Sequence, residues 1–111
     1  MARAATTTDA FNAIAEPRRR HILDVLADGE KSVSDIVAEL PVSQPQVSKH
    51  LKVLKDVGLV RSRAEGRQRL YRIAALALKP IHDWVKDYEG LWSERLDRLD
   101  GYLYQMQKEQ P

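Results

Sequence analysis

Ser43-Gln44-Pro45-Gln46-Val47-Ser48-Lys49-His50-Leu51 is the stretch on which the fold of this chain turns. A serine with glutamine three residues later has the spacing of a capping box, in which the hydroxyl accepts from an early backbone N–H of a helix. Pro45 falls within the first turn, where the missing N–H is tolerated. Val47, Leu51 and Leu54 recur at i, i+4 and i+7, one buried stripe that Val57 extends, and Gly58 then stops the helix. The other side carries Ser48, Lys49, Lys52 and Lys55. The stretch therefore predicts a short helix with an apolar back, a basic flank and an amide-rich N-terminus.

The residues before it predict three more helices. Asp9 to Glu16 places Phe11, Ile14 and Ala15 on one side. Pro17 suits the first turn of a second helix reaching about Ala27, which buries Ile22, Leu23, Val25 and Leu26 before Asp28-Gly29 ends it. Ser32 or Ser34 caps a third helix, Asp35 to Leu40, with Val33, Ile36, Val37 and Leu40 towards the core and Pro41 breaking it.

After Gly58 the pattern changes period. Leu59 to Arg63 and Gln68 to Ile73 are β-prone runs around Ala64-Glu65-Gly66-Arg67, a hairpin signal. From about Leu76 to Gln107 one long amphipathic helix is expected. Leu78, Ile81, Trp84, Val85, Tyr88, Leu91, Trp92, Leu96, Leu99, Leu103 and Met106 recur there at steps of three and four. Such a helix would be about 45 Å long, more than a small domain can cover, so its stripe needs a partner helix. Pro80 belongs in its first turn, and Gly90 in its interior should cost about 1 kcal/mol relative to alanine.

Charge singles out the same central region. Ser43 to Arg72 holds eight basic residues (Lys49, Lys52, Lys55, Arg61, Arg63, Arg67, Arg69, Arg72) against Asp56 and Glu65, a net charge of +6. Ala75 to Pro111 has five basic and seven acidic residues, a net charge of −2. One contiguous piece is thus suited to a polyanion such as duplex DNA. The whole chain of 111 residues carries only +2, so the total hides the asymmetry.

Composition excludes several classes. With no cysteine there are no disulfides, thiolate metal sites, thiol redox sensors or cysteine nucleophiles. No run of 18 apolar residues exists, and Met1 to Thr8 lacks the apolar core of a signal peptide, so no membrane partner and a cytoplasmic location are expected. No Gly-rich phosphate loop or nucleophile elbow is present, and the three histidines fall on three separate helices; no catalytic residue is assigned and no enzyme is expected.

Helix, helix, short helix, capped helix, basic hairpin and long helix is the order of a mainly α, winged helix-turn-helix fold: five helices plus a wing, a single domain over 1–111 with a dimerisation helix over 76–107. A helix fits the major groove of B-DNA and its N-terminal residues reach base edges. Base contacts are accordingly expected from Ser43, Gln44, Gln46, Ser48 and Lys49. Backbone and wing contacts are expected from His50, Lys52, Arg61, Arg63, Arg67 and Arg69. The homodimer interface is expected along the long helix, from Ile81, Trp84, Val85, Tyr88, Trp92, Leu96, Leu99 and Leu103. Packing competes with a phosphate contact at His50. Arg18-Arg19-Arg20 is open between a DNA-backbone contact and a solvated helix start.

Phe11-Asn12-Ala13-Ile14-Ala15-Glu16-Pro17-Arg18-Arg19, Ser43 to Leu54 followed by Gly58-Leu59-Val60, and Gly66-Arg67 with Tyr71 together resemble the ArsR/SmtB-type bacterial repressors, over roughly Asp9 to Leu103. The resemblance implies a homodimer joined by its first and last helices, which adds Phe11 and Ile14 to the interface, an inverted-repeat operator near its own promoter and release by an inducer. Metal-sensing members carry Cys-x-Cys-Asp entering the third helix, where this chain reads Ser32-Val33-Ser34-Asp35; hydroxyls are poor ligands for soft metals. Their other site, on the last helix, needs a second histidine, and His82-Asp83 has none after it. The chain is similar to a branch without those sites, so neither a metal nor a cofactor is expected. A metal- or small-molecule-responsive derepressor, with an apolar ligand near Trp84 and Trp92, and a protein-interaction module using the long helix are the alternatives; no effector is identified.

Overall fold

The computed structural model describes residues 9–109; Met1 to Thr8, on which the absence of a leader was read, lie outside them. In chain order the elements are α1 (Ala10–Ala15), α2 (Pro17–Leu26), β1 (Lys31–Ser32), α3 (Val33–Glu39), α4 (Gln44–Asp56), β2 (Val60–Glu65), β3 (Gln68–Ile73), a 3₁₀ turn (Ala75–Leu78), α5 (Lys79–Lys86) and α6 (Glu89–Glu109). They fall into two compact units, one ending at Lys79 and one starting at Pro80.

The first unit is mainly helical with a small antiparallel sheet. Its core is aliphatic: Ala13, Ile22, Leu26, Ile36, Val47, Leu51, Leu54, Leu59 and Val60 are all buried. These come from α1, α2, α3, α4, the turn at Leu59 and the start of β2, so burial of one apolar stripe per helix ties the elements together. The second helix starts at Pro17 as expected, with the Glu16 side chain accepting from the Arg18 and Arg19 backbone N–H groups at 2.7 and 3.2 Å. Ser32, not Ser34, caps α3 by accepting from Asp35 N at 3.2 Å, so that helix begins at Val33, two residues earlier than its apolar pattern suggested.

Helix α1 has only six residues, and its last four carbonyls cannot be paired within it. Arginines of the following helix reach all four. Arg19 donates from Nε to Ala13 O at 2.6 Å and from Nη2 to Asn12 O at 3.4 Å, and Arg20 donates from Nη1 to Ile14 O at 2.6 Å and Ala15 O at 3.3 Å. Two members of the arginine run are therefore the C-terminal cap of α1, a use that neither open reading of that run contained.

Helix α4 runs as predicted and ends in a Schellman motif: Leu59 N donates to Leu54 O at 2.9 Å and Gly58 N to Lys55 O at 3.0 Å, with Gly58 at φ +83°. That turn feeds β2 into the hairpin. β2 and β3 pair antiparallel from Val60↔Ile73 to Glu65↔Gln68, closed by Gly66-Arg67. Gly66 is at φ +62° and Arg67 is not in the positive region, the sign pattern of a type II′ hairpin turn. Tyr71 and Ile73 alternate onto the core side, as the period of two required. A third strand was not foreseen: β1 adds to the far side of β3 through Lys31↔Tyr71 and Ser32↔Leu70, giving the order β1-β3-β2.

The expected helix over 76–107 is not continuous, and its first piece, the 3₁₀ turn, belongs to the first unit. The stretch is divided into the 3₁₀ turn, α5 and α6, with a tight turn at Asp87 and Tyr88. There the backbone bonds shorten to three-residue steps, Asp87 N to Trp84 O at 3.3 Å and Tyr88 N to Val85 O at 2.9 Å. Asp87, Tyr88 and Gly90 are all weak helix formers, and their clustering explains a break that the apolar period passes straight over. Trp84 and Tyr88 pack edge to face across it, ring centroids 5.4 Å apart.

Candidate nucleic-acid interface

The N-terminal half of α4 separates its two faces cleanly. Val47, Leu51 and Leu54 are buried completely, against α2, α3 and β2. Ser43, Gln44, Gln46, Ser48 and Lys49 are exposed, as are Lys52 and Lys55 further along. Ser43, extended at φ −70° and ψ 158°, accepts from Gln46 N at 3.4 Å. The five residues proposed for base contacts thus occupy the first turns of one helix, anchored from behind by its leucines. Their amides and hydroxyls can donate and accept, the chemistry that base edges in a major groove require.

His50 departs from this group. The pattern groups it with the backbone contacts, but its ring is buried, 8% exposed. Its position on α4, between Val47 and Leu54, puts it on the apolar side of the helix. Nε2 lies 4.0 Å from Glu16 Oε2, the cap of α2, and Nδ1 has no hydrogen-bond partner among the described residues. Burial, with Arg19, Arg18 and Lys49 nearby, holds its pKa below the ordinary imidazole value against the opposing pull of Glu16. Burial also acts on Glu16, raising its pKa, but the backbone donors at Arg18 and Arg19 and the charges of His50 and Arg18 outweigh it and leave the carboxyl below its usual range. His50 therefore packs on the inner face of α4.

The basic residues of the wing are not equivalent. Arg63 forms a fork with Glu30, Nε to Oε2 at 2.9 Å and Nη2 to Oε1 at 2.8 Å, and Nη2 also reaches Glu65 at 3.4 Å. That bond to Arg63 lowers the Glu30 carboxyl pKa and raises the guanidinium's further. Arg69 donates to Ser62 Oγ at 3.1 Å, and Lys52 pairs with Asp56 at 3.1 Å. Arg61, Arg67 and Arg69 are exposed, with Arg67 in the hairpin turn itself. Of the cations proposed for the backbone, Arg63 is the one whose charge is already matched by carboxylates on two sides.

The residues proposed for the dimer interface divide between the two units. In the first, Phe11 is 41% exposed and Ile14 packs against the core. In the second, Ile81 is half-buried while Trp84, Val85, Tyr88, Trp92, Leu96, Leu99 and Leu103 are exposed. Trp92, Leu96, Leu99, Leu103 and Met106 follow one another at steps of 4, 3, 4 and 3, which places them on a single face of α6. Trp92 also lines a groove of about 200 Å³ with His82, Val85, Lys86 and Glu89, which Trp84 does not share. Among the described residues no three His, Cys, Asp or Glu side chains are grouped to hold a metal ion, and no helix is long and apolar enough to cross a membrane.

Comparison with known proteins gives one family. The family model described as "Bacterial regulatory protein, arsR family" matches residues 16–62, from the cap of α2 to the start of β2. HTH-type transcriptional regulator Rv2034 of Mycobacterium tuberculosis is 38% identical over 87 residues, 78% of this chain and 78% of its own length. Transcriptional repressor SdpR of Bacillus subtilis is 31% identical over 78 residues, 70% of this chain and 87% of its own. Among solved structures, the homodimeric winged helix-turn-helix DNA-binding domain of a possible ArsR-family regulator from Mycobacterium bovis, determined by NMR, is 36% identical with a TM-score of 0.60, covering 79% of this chain and 81% of that one.

Proposed function

We propose that this chain, which belongs to the arsR family of bacterial regulatory proteins, is a sequence-specific DNA-binding repressor that acts as a homodimer on an inverted-repeat operator near its own gene. The observation that carries this is the exposed, polar first half of α4, fixed from behind by Val47, Leu51 and Leu54. Ser43, Gln44, Gln46, Ser48 and Lys49 read base edges; Lys52, Arg61, Arg67 and Arg69 meet phosphates, which position the protein without specifying sequence. Arg63 contributes less, because binding there competes with Glu30 and Glu65.

The second copy covers the apolar face of α6. Large side chains left about half exposed on one helix face favour association, and the Mycobacterium bovis relative is homodimeric. No transition metal regulates the protein: the serines entering α3 and the His82-Asp83 pair, with no later histidine in the sequence, offer no soft or multi-histidine ligand set. Fluorescence anisotropy with duplex DNA from upstream of the gene, compared with a shuffled duplex over a range of salt concentrations, tests the reading. A clear preference for the upstream sequence is expected; equal binding throughout would refute specific repression. Zinc that binds tightly and releases the DNA would refute the metal-independent reading.

A further inference from the structure

The arginines of the hairpin differ in what surrounds their charge. Arg63 faces Glu30 and Glu65. Arg67 and Arg69 instead line a groove of about 190 Å³ between the hairpin tip and the β1–α3 junction, together with Gln68, Ser32, Val33 and Ser34. No carboxylate among the described residues lines it. The groove holds two guanidiniums, two hydroxyls and one amide, far more donors than acceptors. Arg69 spends one N–H on Ser62 Oγ, and Ser32 Oγ, on a residue only 5% exposed, accepts from Asp35 N, so its own O–H remains to donate. Ser34 is exposed at the mouth.

A cation would meet two like charges here, and a neutral ligand would leave two guanidiniums uncompensated. A tetrahedral oxyanion fits, since each guanidinium can present two parallel N–H donors to two phosphate oxygens while a hydroxyl reaches a third. We propose that the groove between the hairpin tip and the β1–α3 junction is a phosphate-binding site, with Arg67 and Arg69 as its charged donors and Ser34 and Ser32 as its hydroxyl donors. Two sources of phosphate share this chemistry: a backbone phosphate of duplex DNA, which rests on the function proposed above, and a free phosphate or phosphomonoester, which does not. A free phosphate in the groove competes with the duplex for the same two arginines, which makes the site an anion-responsive brake on DNA affinity.

The test follows the arginine Nε–H signals of the full, isotopically labelled chain by NMR. Inorganic phosphate, titrated at constant ionic strength against chloride, is expected to move the Arg67 and Arg69 signals saturably and to leave Arg95 on α6 in place. Ser34→Asp puts a carboxylate at the groove mouth and is expected to weaken that response at least about tenfold; Gln68→Glu brings the same charge from the hairpin should the first variant not fold. A short duplex is expected to move the same two signals, and excess phosphate to reverse the change. Phosphate saturation without any duplex effect supports the site and assigns its source to a free anion. Arg67 and Arg69 unmoved by both ligands, or moved equally by chloride, overturns the proposal. Duplex bound with both signals unmoved overturns the groove as well, while leaving DNA binding intact.

Discussion

Replacing Arg19 by methionine keeps an unbranched apolar stem and removes the guanidinium that closes α1. The bond from Nε to Ala13 O, at 2.6 Å and part-buried, is the shorter of its two contacts; the one to Asn12 O, at 3.4 Å, is long and adds little. A hydrogen bond from a charged donor contributes about 1.5–3 kcal/mol, and a carbonyl left without a partner costs further when water cannot reach it. Ala13 is fully buried, so its carbonyl has limited access to a replacement. Arg19→Met should therefore destabilise the first unit by about 2 kcal/mol, lowering a urea midpoint by roughly 1 M at the slope usual for small domains. Arg19→Lys should recover part of this, because an ammonium restores the charge near the helix end without the planar fork. Urea unfolding followed by circular dichroism measures both. An unfolding free energy for Arg19→Met within about 0.5 kcal/mol of the parent, together with a salt dependence of DNA affinity flatter by about one phosphate contact, would refute the capping role and return Arg19 to the backbone.

The remaining expectations use other parts of the molecule. Because folding lowers the His50 pKa, the unfolded chain binds the proton more readily; stability is complete above about pH 6.5, the unfolded value, and is lost as pH falls through the lower folded value. Acid titration of the unfolding midpoint should show this slope, and His50→Leu should remove it. Gln46→Ala should reduce discrimination between upstream and shuffled DNA by about 1–3 kcal/mol, whereas Arg67→Ala should weaken both equally and reduce the salt slope by about 1; identical behaviour of the two in anisotropy would contradict the division of roles. Leu99→Lys, at a position 49% exposed on the α6 face, should leave helicity intact and raise the dimer dissociation constant at least about tenfold, read by sedimentation at micromolar concentration.

Strong periodicity and local capping are legible in the sequence itself. Ser43, Pro45 and Gly58 fix both ends of α4, Pro17 the start of α2, and Gly66 the hairpin, because each acts through its own backbone or a neighbour three residues away. What escaped depends on partners distant in the chain. β1 is two residues long and exists through its pairing with β3, nearly forty positions later. His50 is polar by type, and only its place among Val47, Leu51 and Leu54 on the inner face, with Glu16 opposite, shows that it is inside. Arg63 counts as a free cation until Glu30, 33 residues away, is seen beside it. The break at Asp87-Tyr88 had a local signal in Gly90, but an uninterrupted apolar stripe outweighed it. For the exposed face of α4 the pattern sufficed, since an amphipathic helix seated by its leucines has only one way to face.

The short strand β1 has a mechanical consequence. Its pairing holds β3 on both edges, and Ser32 is at once its last residue and the N-cap of α3. A load applied at the Gly66-Arg67 tip therefore passes along β3 and across to the first turn of α3, rather than being lost in a free loop. Tip and helix are thereby joined like the two jaws of a caliper, and amide exchange should show β3 opening only together with the first turn of α3.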